Sequence, residues 1–422
     1  MATGSGLSAS VGFATESTYG TPVPATRFFE FDSETLVMKK KPIAGVGLRG
    51  GAFLAAANRR SIGTREVSGD VVMDVPSNGA GLLLSYALGS SPTPTSIGGG
   101  LYQQVHNLGS FNGKSFTTQV VRPDTSGDLT SAAFTYPGCK ATDWEFSVAT
   151  DGVLKLKLTV EARDEATSSN SFTATTLSAA STAGATTITT VGSVPTGAYI
   201  VLDTGAPTAE PVRVASVSGA GPYTLTLQTG FTPLQAHASG AVVSAGTTIN
   251  YGAATALQTP TYPTTRTLFT FVQGVLVAGG TTTSTSGVWS NTGGTVIGNV
   301  RQFTIGGKNS LDLARYGLGA NVRSEPIENG WRAYTASADI DYNNQLLYQA
   351  YVAEARIAMQ LTFTTPSGAI LQFIVPAAYQ EDGVNPSVSG AALITVKPKW
   401  TILDDGTNGA LQVIYTSTDA TL

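Results

Sequence analysis

The sequence predicts a mainly β protein in which one β-rich unit occurs twice, with a small all-β module between the copies. The first observation is an internal repeat. Residues 60–89 and 329–354 both run from a strand-like stretch through a break to a short helix. Matching positions in these two stretches are Gly63/Gly330, Arg65/Arg332 and Asp74/Asp341. A closing strand at 155–165 recurs at 395–405, where the matching positions are Lys157/Lys397 and Asp164/Asp404.

Two further observations predict the strands themselves. Apolar and polar residues alternate with period two along stretches of both copies, which is typical of half-buried strands. Short Thr/Val-rich runs separated by Gly, Pro and Ser fill the region between the copies. We therefore expect an N-terminal arm at 1–26, the first copy at 27–165, the module at 172–247, the second copy at 266–416 and a C-terminal tail at 417–422.

Composition restricts the classes of function. A chain of 422 residues exceeds one ordinary core and fits two or three domains. Only 12% of the residues are charged and the formal net charge is −4, which argues against tight binding to nucleic acid or to anionic membranes. Cys139 is the single cysteine, so an intramolecular disulfide and a thiolate metal site are excluded. Neither a secretion signal nor an apolar stretch of membrane length is visible, so we expect the chain to be made and folded in cytoplasm.

The first copy begins after an extended arm that contains Pro22 and Pro24 and is expected to be disordered or docked on a neighbouring subunit. The pattern predicts a strand over 27–41 and a Gly/Ala-rich loop over 42–60. In the next strand one face carries Glu66, Ser68, Asp70 and Asp74, and the other carries Val67, Val71, Met73 and Val75. Asn78 is expected to cap the short helix that follows.

A hairpin over 140–163 closes the first copy. Trp144, Phe146 and Val148 alternate with polar residues before Asp151-Gly152, and four apolar residues alternate with polar ones after it. Asp-Gly between two alternating runs is the strongest short signal for a hairpin. Asp-Gly steps at 382–383 and 405–406 predict similar turns in the second copy.

The region between the copies changes in character. Five brief Thr/Val-rich runs within 172–247 predict an independent β-module with few charges and no helix. The flanking segment 248–265 and the later segment 279–298 are rich in Thr, Ser and Gly. Their composition predicts connecting loops.

We predict no catalytic, cofactor-binding or metal site. Gly45, Gly47 and Gly50 match a dinucleotide-binding pattern, but the lysines and Pro42 before them do not form the required buried strand. The only two histidines, His106 and His237, are expected in loops. Acid pairs such as Glu325/Glu328 and Asp404/Asp405 are expected to be solvated. The glycine-rich segment is instead expected to be a flexible loop that contacts another subunit. The one basic cluster is expected to be a solvated or acid-pairing loop rather than a nucleic-acid site, and it comprises Lys39, Lys40, Lys41, Arg49, Arg59 and Arg60.

A set of acids recurs on the polar faces of equivalent strands. Its members are Glu66, Asp70 and Asp74 in the first copy and Asp339 and Asp341 in the second. The simpler interpretation is a strand face exposed to solvent. The alternative is a ring of acids, repeated by assembly, that faces a shared channel. Acidic walls would repel a polyanion, the reverse of the neutralisation by Lys and Arg that produces binding.

Several stretches resemble the major tail tube proteins of long-tailed bacteriophages. They are GFATESTYGTPVPATRFFEFDSE, GTREVSGDVVMDVPSNGAGLLLSYALG, VVRPDTSG, PGCKATDWEFSV and SEPIENGWRAYTASADIDY. The resemblance covers both copies but not the 172–247 module. It implies two tail-tube-type β-sandwich domains, each with a short flanking helix, and no catalytic residues. It also implies stacked rings that conduct DNA out of the capsid.

Rings in this family commonly hold six domains, so the resemblance implies that three duplicated chains form a pseudo-hexameric ring. The partners it implies are further copies of the chain, tail proteins at the tube ends and a tape-measure protein, with DNA passing through without specific binding. The candidates for the channel lining are then Glu66, Asp70, Asp74, Asp339 and Asp341. The candidates for contacts between rings or subunits are Arg49, Arg59 and Arg60. The alternative is a surface-exposed β-sandwich that binds carbohydrate or mediates adhesion, for which the module offers Phe172, Tyr199, Tyr223 and Phe231.

Overall fold

A mainly β architecture with two short helices, as predicted, defines the described part of the chain. The computed structural model describes residues 6–47, 50–51, 53–54, 59–122, 133–166, 173–244, 258–262, 267–343, 345–388 and 390–422.

The strands and helix of the first half follow the predicted order. They are β1 (Ser10–Glu16), β2 (Arg27–Phe29), β3 (Ser33–Glu34), β4 (Val37–Ala44), β5 (Arg60–Asp74), α1 (Gly81–Leu88), β6 (Thr95–Gly98), β7 (Leu101–Asn107), β8 (Ser115–Val121), β9 (Ala133–Ala149) and β10 (Lys155–Ala162).

The module and the second half contribute the remaining elements. The module contains β11 (Thr175–Thr176), β12 (Thr187–Thr190), β13 (Tyr199–Leu202), β14 (Glu210–Ser218), β15 (Tyr223–Leu227) and β16 (Val242–Ser244). The second half contains β17 (Gly274–Ala278), β18 (Thr281–Thr285), β19 (Val288–Thr292), β20 (Thr295–Val296), β21 (Val300–Lys308), β22 (Ala333–Asp341), α2 (Leu346–Val352), β23 (Ile357–Thr364), β24 (Ile370–Asp382), β25 (Thr395–Val396), β26 (Lys399–Ile402) and β27 (Gln412–Ser417).

Strand pairing repeats between the two halves. In the first copy β4 pairs with β5, β5 with β10, and β10 with β9. In the second copy β21 pairs with β22, β22 with β26, and β26 with β24. The registers match as well. Val160 on β10 lies opposite Gly69 on β5 and Ala141 on β9, and the equivalent Trp400 on β26 lies opposite Ala336 on β22 and Gln380 on β24. The repeat seen in the sequence is therefore a repeat of sheet topology.

The two four-stranded sheets join into one. β9 of the first copy pairs with β21 of the second over seven residue pairs, from Gln302↔Ala149 to Lys308↔Asp143. The result is a continuous sheet in the order β4–β5–β10–β9–β21–β22–β26–β24, which we call the joined sheet. Gly307 lies at the join, where a side chain would collide with the rings of Tyr334 and Trp144.

A second layer covers one face of the joined sheet. β1 lies between β2 and β8, and β8 pairs with the first part of β9. In the second copy β17 pairs with β23, and β23 pairs with the first part of β24. Because β9 and β24 continue from one layer into the other, each copy is a β-sandwich. One apolar cluster runs through both sandwiches and includes Val71, Phe146, Ile340 and Phe373.

Each sandwich carries its short helix at the predicted place. α1 is buried along its whole length and ends at Gly89, whose φ of 66° is the left-handed conformation that glycine adopts most readily. The predicted cap at Asn78 is wrong, since α1 begins after Ala80 without a side-chain cap. α2 is more exposed and buries only Leu347 and Ala350.

The module folds around its own core. Its six strands pair in the order β11–β16–β13–β14–β15–β12, and Ile200, Val212 and Leu225 lie in an apolar cluster separate from that of the sandwiches. The described residues of the module thus have a core of their own.

Several local expectations fail because strand pairing overrides composition. Residues 10–16 form β1 inside the first sandwich, although the sequence places them in an extended arm. The strand expected over 27–41 is three strands, and β4 runs into the expected loop by forming an irregularity between Lys41 and Ile43 that accommodates Pro42. Residues 279–298, expected to be a loop, contain the β18–β19 hairpin, in which Trp289 packs against Ile374 and Ile414.

Candidate channel face and assembly edges

The uncovered face of the joined sheet carries the predicted acids. Along β5, the side chains of Val67, Val71 and Met73 are fully buried, while Glu66, Asp70 and Asp74 point to the opposite side. The same alternation along β22 buries Ala338 and Ile340 and turns Asp339 and Asp341 outward. The structure thus brings all five acids to one face of one sheet, which we call the polar face.

Every one of these acids lies beside a basic side chain. Asp70 pairs with Lys157 at 2.8 Å, Asp74 with Lys155 at 3.1 Å and Asp341 with Arg301 at 2.6 Å. Asp339 lies 3.6 Å from Lys397, and Glu66 pairs with Lys41. The polar face of the single chain therefore carries paired charges of both signs rather than acids alone.

Cross-strand register produces these pairs. Lys155 lies directly opposite Asp74, and Lys157 lies opposite Val72, diagonal to Asp70 two residues along the neighbouring strand. Burial favours a higher pKa for Asp70, but hydrogen bonds from Lys157 and Thr159 outweigh it and lower that pKa. Hydrogen bonding to Asp32 and to Asp70 raises the pKa values of Lys155 and Lys157 respectively. The Asp70 contact thus stabilises the fold above the unfolded pKa of about 4, and the contribution is lost as the pH falls through the folded pKa.

The joined sheet ends in two strand edges. β4 pairs only with β5, and the last residues of β24 pair only with β26, among the residues that the structure describes. Side chains cover part of the β4 edge. Arg122 and Tyr136 donate to the Leu36 carbonyl at 2.6 and 3.2 Å, and the Leu36 amide donates to Glu34. An unpaired edge is a template for another strand unless it is covered.

The predicted basic loop is the end of a projecting hairpin. β4 and β5 extend past Arg65, whose amide donates to the Asn321 carbonyl, and the exposed residues Arg59 and Arg60 lie at the far end. Arg59 donates a hydrogen bond to the Gly47 carbonyl. Arg49 lies outside the described residues.

Buried ion pairs fasten the second copy to the first. The Lys140 ammonium is fully buried and donates to Glu325 at 2.6 Å and to the carbonyls of Phe111 and Pro326 at 2.7 Å each. Arg323 pairs with Glu161 at 2.9 Å across the same junction. This cluster was not predicted from the sequence, and Glu325 is held in an ion pair rather than being solvated as expected. The only local signal was that Lys140 directly follows an apolar stretch of a strand.

His106 lies on a strand, contrary to expectation, whereas His237 lies in the loop between β15 and β16, as expected. His106 lies on β7, fully buried, with Nδ1 2.8 Å from the Ser90 hydroxyl, and burial lowers its pKa to about 3. His237 is buried in the module with Nε2 2.7 Å from Glu210. Within the described ranges, no group of three or more His, Cys, Asp or Glu residues is arranged to hold a metal ion. No helix in the same ranges is long and apolar enough to span a membrane.

The two sandwiches share one sheet, and that sheet ends in two strand edges that can pair with other chains. This arrangement is typical of a structural β protein that associates with itself. The chain belongs to the phage tail tube protein family, whose model matches residues 6–218 and again residues 194–402. The two matches cover both copies, in agreement with a duplicated tube domain, and overlap within the module. A search of curated proteins found no significant match. Family membership makes the chain a structural component of a phage tail that associates with itself and with other tail proteins.

Proposed function

We propose that three copies of this chain close into one ring and that stacked rings form the conduit for DNA ejection. The observation that carries this proposal is the pairing of β9 with β21. That pairing joins the last strand of one four-stranded sheet to the first strand of the next. The chain ends in the same two kinds of edge, β24 and β4, so the same join can repeat between chains.

Equivalent positions give the register of the join between chains. Thr159 on β10 and Lys399 on β26 are equivalent positions of the two copies. Asp143 on β9 lies opposite Thr159 and Asp382 on β24 lies opposite Lys399, so Asp143 corresponds to Asp382. Lys308 on β21 corresponds in the same way to Lys39 on β4. Because Lys308 lies opposite Asp143 inside the chain, Lys39 of the next chain is expected opposite Asp382. This pairing would replace the side-chain contacts that cover the β4 edge in the single chain.

The diameter expected for the closed sheet is consistent with three chains per ring. Each chain supplies eight strands, so three supply 24 and leave no edge. With strands about 4.8 Å apart and tilted by about 40°, 24 strands enclose a cylinder roughly 48 Å across. Side chains narrow the bore by roughly 10 Å, which leaves ample room for a double helix about 20 Å wide.

The polar face supports a lumen role. The apolar face of the joined sheet is covered by the second layer, so in a closed ring the polar face is the one left to line the bore. We therefore assign Glu66, Asp70, Asp74, Asp339 and Asp341 to the channel wall. Their paired charges leave no concentrated positive patch to hold phosphates, which suits passage of DNA without specific binding. We also propose that the rings assemble in the host cytoplasm and contact the tape-measure protein inside the tube. We assign no catalytic role to the chain.

Electron microscopy and a mass measurement on the purified protein test this function. Rings or hollow rods with three chains per ring are expected. Six chains per ring would contradict the stoichiometry, and an absence of rings and rods under all assembly conditions would contradict the tube function. The adhesion alternative, for which Tyr199 and Phe231 form a partly exposed aromatic pair in the module, predicts no such assemblies.

The module is expected to face outward as a decoration, because it has its own core and its strands pair only with one another in the described residues. Deleting residues 172–247 and joining the ends with a short linker should leave rods of unchanged bore. Microscopy and mass measurement compare the truncated and full chains. A truncated protein that is folded but forms no rods would show that the module belongs to the ring contact.

A further inference from the structure

The module has very few charged side chains, and both of its acids lie beside its one histidine. Between residues 173 and 244 the sequence contains only Asp203, Glu210, Arg213 and His237 as acidic, basic or imidazole side chains. The His237 side chain is fully buried, with Nε2 2.7 Å from a Glu210 carboxylate oxygen and Nδ1 3.5 Å from an Asp203 carboxylate oxygen. Each ring nitrogen therefore faces its own carboxylate.

No further charge of the module faces the imidazole. Arg213 lies three residues after Glu210 on β14, which places the two side chains on opposite faces of that strand. The Arg213 guanidinium lies 5.0 Å from the centre of the Tyr199 ring. The segment 178–182, which pairs with the backbone of His237, has no titratable side chain. The charge of the imidazole is therefore felt mainly by two carboxylates.

The contact with Glu210 is complete and anchors one loop of the module. Besides His237, the Glu210 carboxylate accepts hydrogen bonds from the Leu234 amide at 2.7 Å and from the Gln235 amide at 2.9 Å. Burial favours a higher pKa for Glu210, but the two amide hydrogen bonds and the imidazole outweigh it and lower that pKa. An ionised Glu210 thus holds the loop 228–237 and the Nε2 proton against β14.

The contact with Asp203 is incomplete. Nδ1 of His237 has no hydrogen-bond partner among the described residues, although the Asp203 carboxylate is its neighbour. Asp203 begins the loop 203–209 between β13 and β14 with a φ of 58°, a conformation that is unfavourable for a residue other than glycine. A hydrogen bond from Thr208 lowers the pKa of Asp203, burial opposes this effect and the imidazole adds to it. An anionic side chain in a strained loop therefore faces an unbonded ring nitrogen.

The number of protons on an imidazole determines how many hydrogen bonds it can donate. A neutral ring has one N–H and one lone pair, whereas a protonated ring has two N–H groups. We propose that His237 is a pH-dependent latch, in which protonation of Nδ1 adds a hydrogen bond to Asp203 and ties the loop 203–209 to the loop 228–237. In the neutral ring the Nδ1 lone pair faces the carboxylate and repels it. Histidine ordinarily changes its charge between about pH 5 and 8, so the latch closes as the pH falls through this range.

The latch stabilises the loop 203–209 most in mildly acidic solution. Its contribution is present while the ring carries both protons, and it is lost as the pH rises and Nδ1 gives up its proton. On the acid side it is lost only when a carboxylate is protonated. The pKa values of Asp203 and Glu210 are both lowered, so this loss requires a pH below their ordinary values of about 4. The latch lies wholly within the module and does not depend on the ring assembly proposed above.

NMR of the unassembled full chain, with ¹³C at Cε1 of histidine, tests the latch. The chain has only two histidines, and burial lowers the pKa of His106 to about 3, so the His106 signal should stay constant between about pH 5 and 8. One signal, absent from the variant His237→Gln, should shift with pH across this range. A His237 signal that does not shift between these pH values would overturn the proposal.

Amide hydrogen exchange in the loop 203–209 is the second measurement. After correction for the intrinsic effect of pH, the loop should exchange about fivefold faster near pH 8 than near pH 5, as expected when one hydrogen bond is lost. Asp203→Asn should abolish this difference, because the amide lacks the charge that the protonated ring attracts. Gln235→Ala, an exposed change in the neighbouring loop, is the matched control and should retain the difference.

Equal exchange of the loop at both pH values in the wild type would overturn the latch. An unchanged pH dependence in Asp203→Asn would overturn it as well. Both wild-type measurements remain decisive if a variant does not fold.

Discussion

Tubes that carry lysine in place of Asp70, Asp74, Asp339 and Asp341 are expected to assemble and to hold DNA instead of releasing it. Each change adds two positive charges, which amounts to eight per chain and twenty-four per three-chain ring. The changes also leave Lys157, Lys397 and Arg301 without their acidic partners, whereas Lys155 keeps Asp32. A bore with this charge neutralises phosphates and releases their counterions, so the affinity for DNA should fall steeply with salt.

Two measurements check this expectation. One is the retention of DNA by assembled tubes at low and high salt, and the other is the rate of DNA ejection from particles that contain the substituted protein. Asn at the same four positions is the matched control, since it removes the acids without adding lysines and should give a much smaller effect. Tubes that retain no DNA at low salt would contradict the assignment of these residues to the channel wall. Coordinates that place their side chains on the outer surface of the tube would contradict it as well.

Glu325→Ala is expected to lower the free energy of unfolding of the unassembled chain by about 3 kcal/mol, because it leaves a buried ammonium without its counter-ion. Lys140 would keep only its two carbonyl partners. The burial of Lys140 lowers its pKa and Glu325 opposes that shift, so removing Glu325 should lower the pKa of Lys140 further. Denaturant unfolding of the variant and the wild type measures the loss.

Glu66→Ala is the matched control for this change. It breaks the pair between Glu66 and Lys41, in which the side chains are 30% and 60% exposed, and an exposed pair of this kind contributes at most about 1 kcal/mol. The double change Lys140→Met with Glu325→Gln should recover much of the loss, because no buried charge then remains. A Glu325→Ala loss as small as that of the control would show that the ion pair does not hold the two copies together.

The sequence was sufficient for those features that depend on local patterns. Alternation along β5 determined which side of the strand holds Asp70 and which holds Val71, since a shift by one residue would bury the carboxylates. Asp151-Gly152 located the hairpin turn, where Asp151 has a φ of 60°. The repeat predicted the common topology of the two copies.

Features that depend on contacts between distant residues could not be predicted. The pairing of β9 with β21, the cluster around Lys140 and the partners of the five acids all require the register between strands far apart in the chain. Composition predicted loops at two places where pairing with other strands instead produces a strand. The Thr-rich β18–β19 hairpin gains its order from Trp289, which packs against Ile374 and Ile414, and His106 is held in β7 by pairing with Val413 on β27.

A reconstruction of the assembled ring at a resolution that separates strands tests the central claim most directly. The account predicts three chains, a closed sheet of 24 strands, and β24 of each chain paired with β4 of the next so that Asp382 lies opposite Lys39. The five acids should line the bore. A ring of six chains, or a bore built from strands other than those of the joined sheet, would contradict the account.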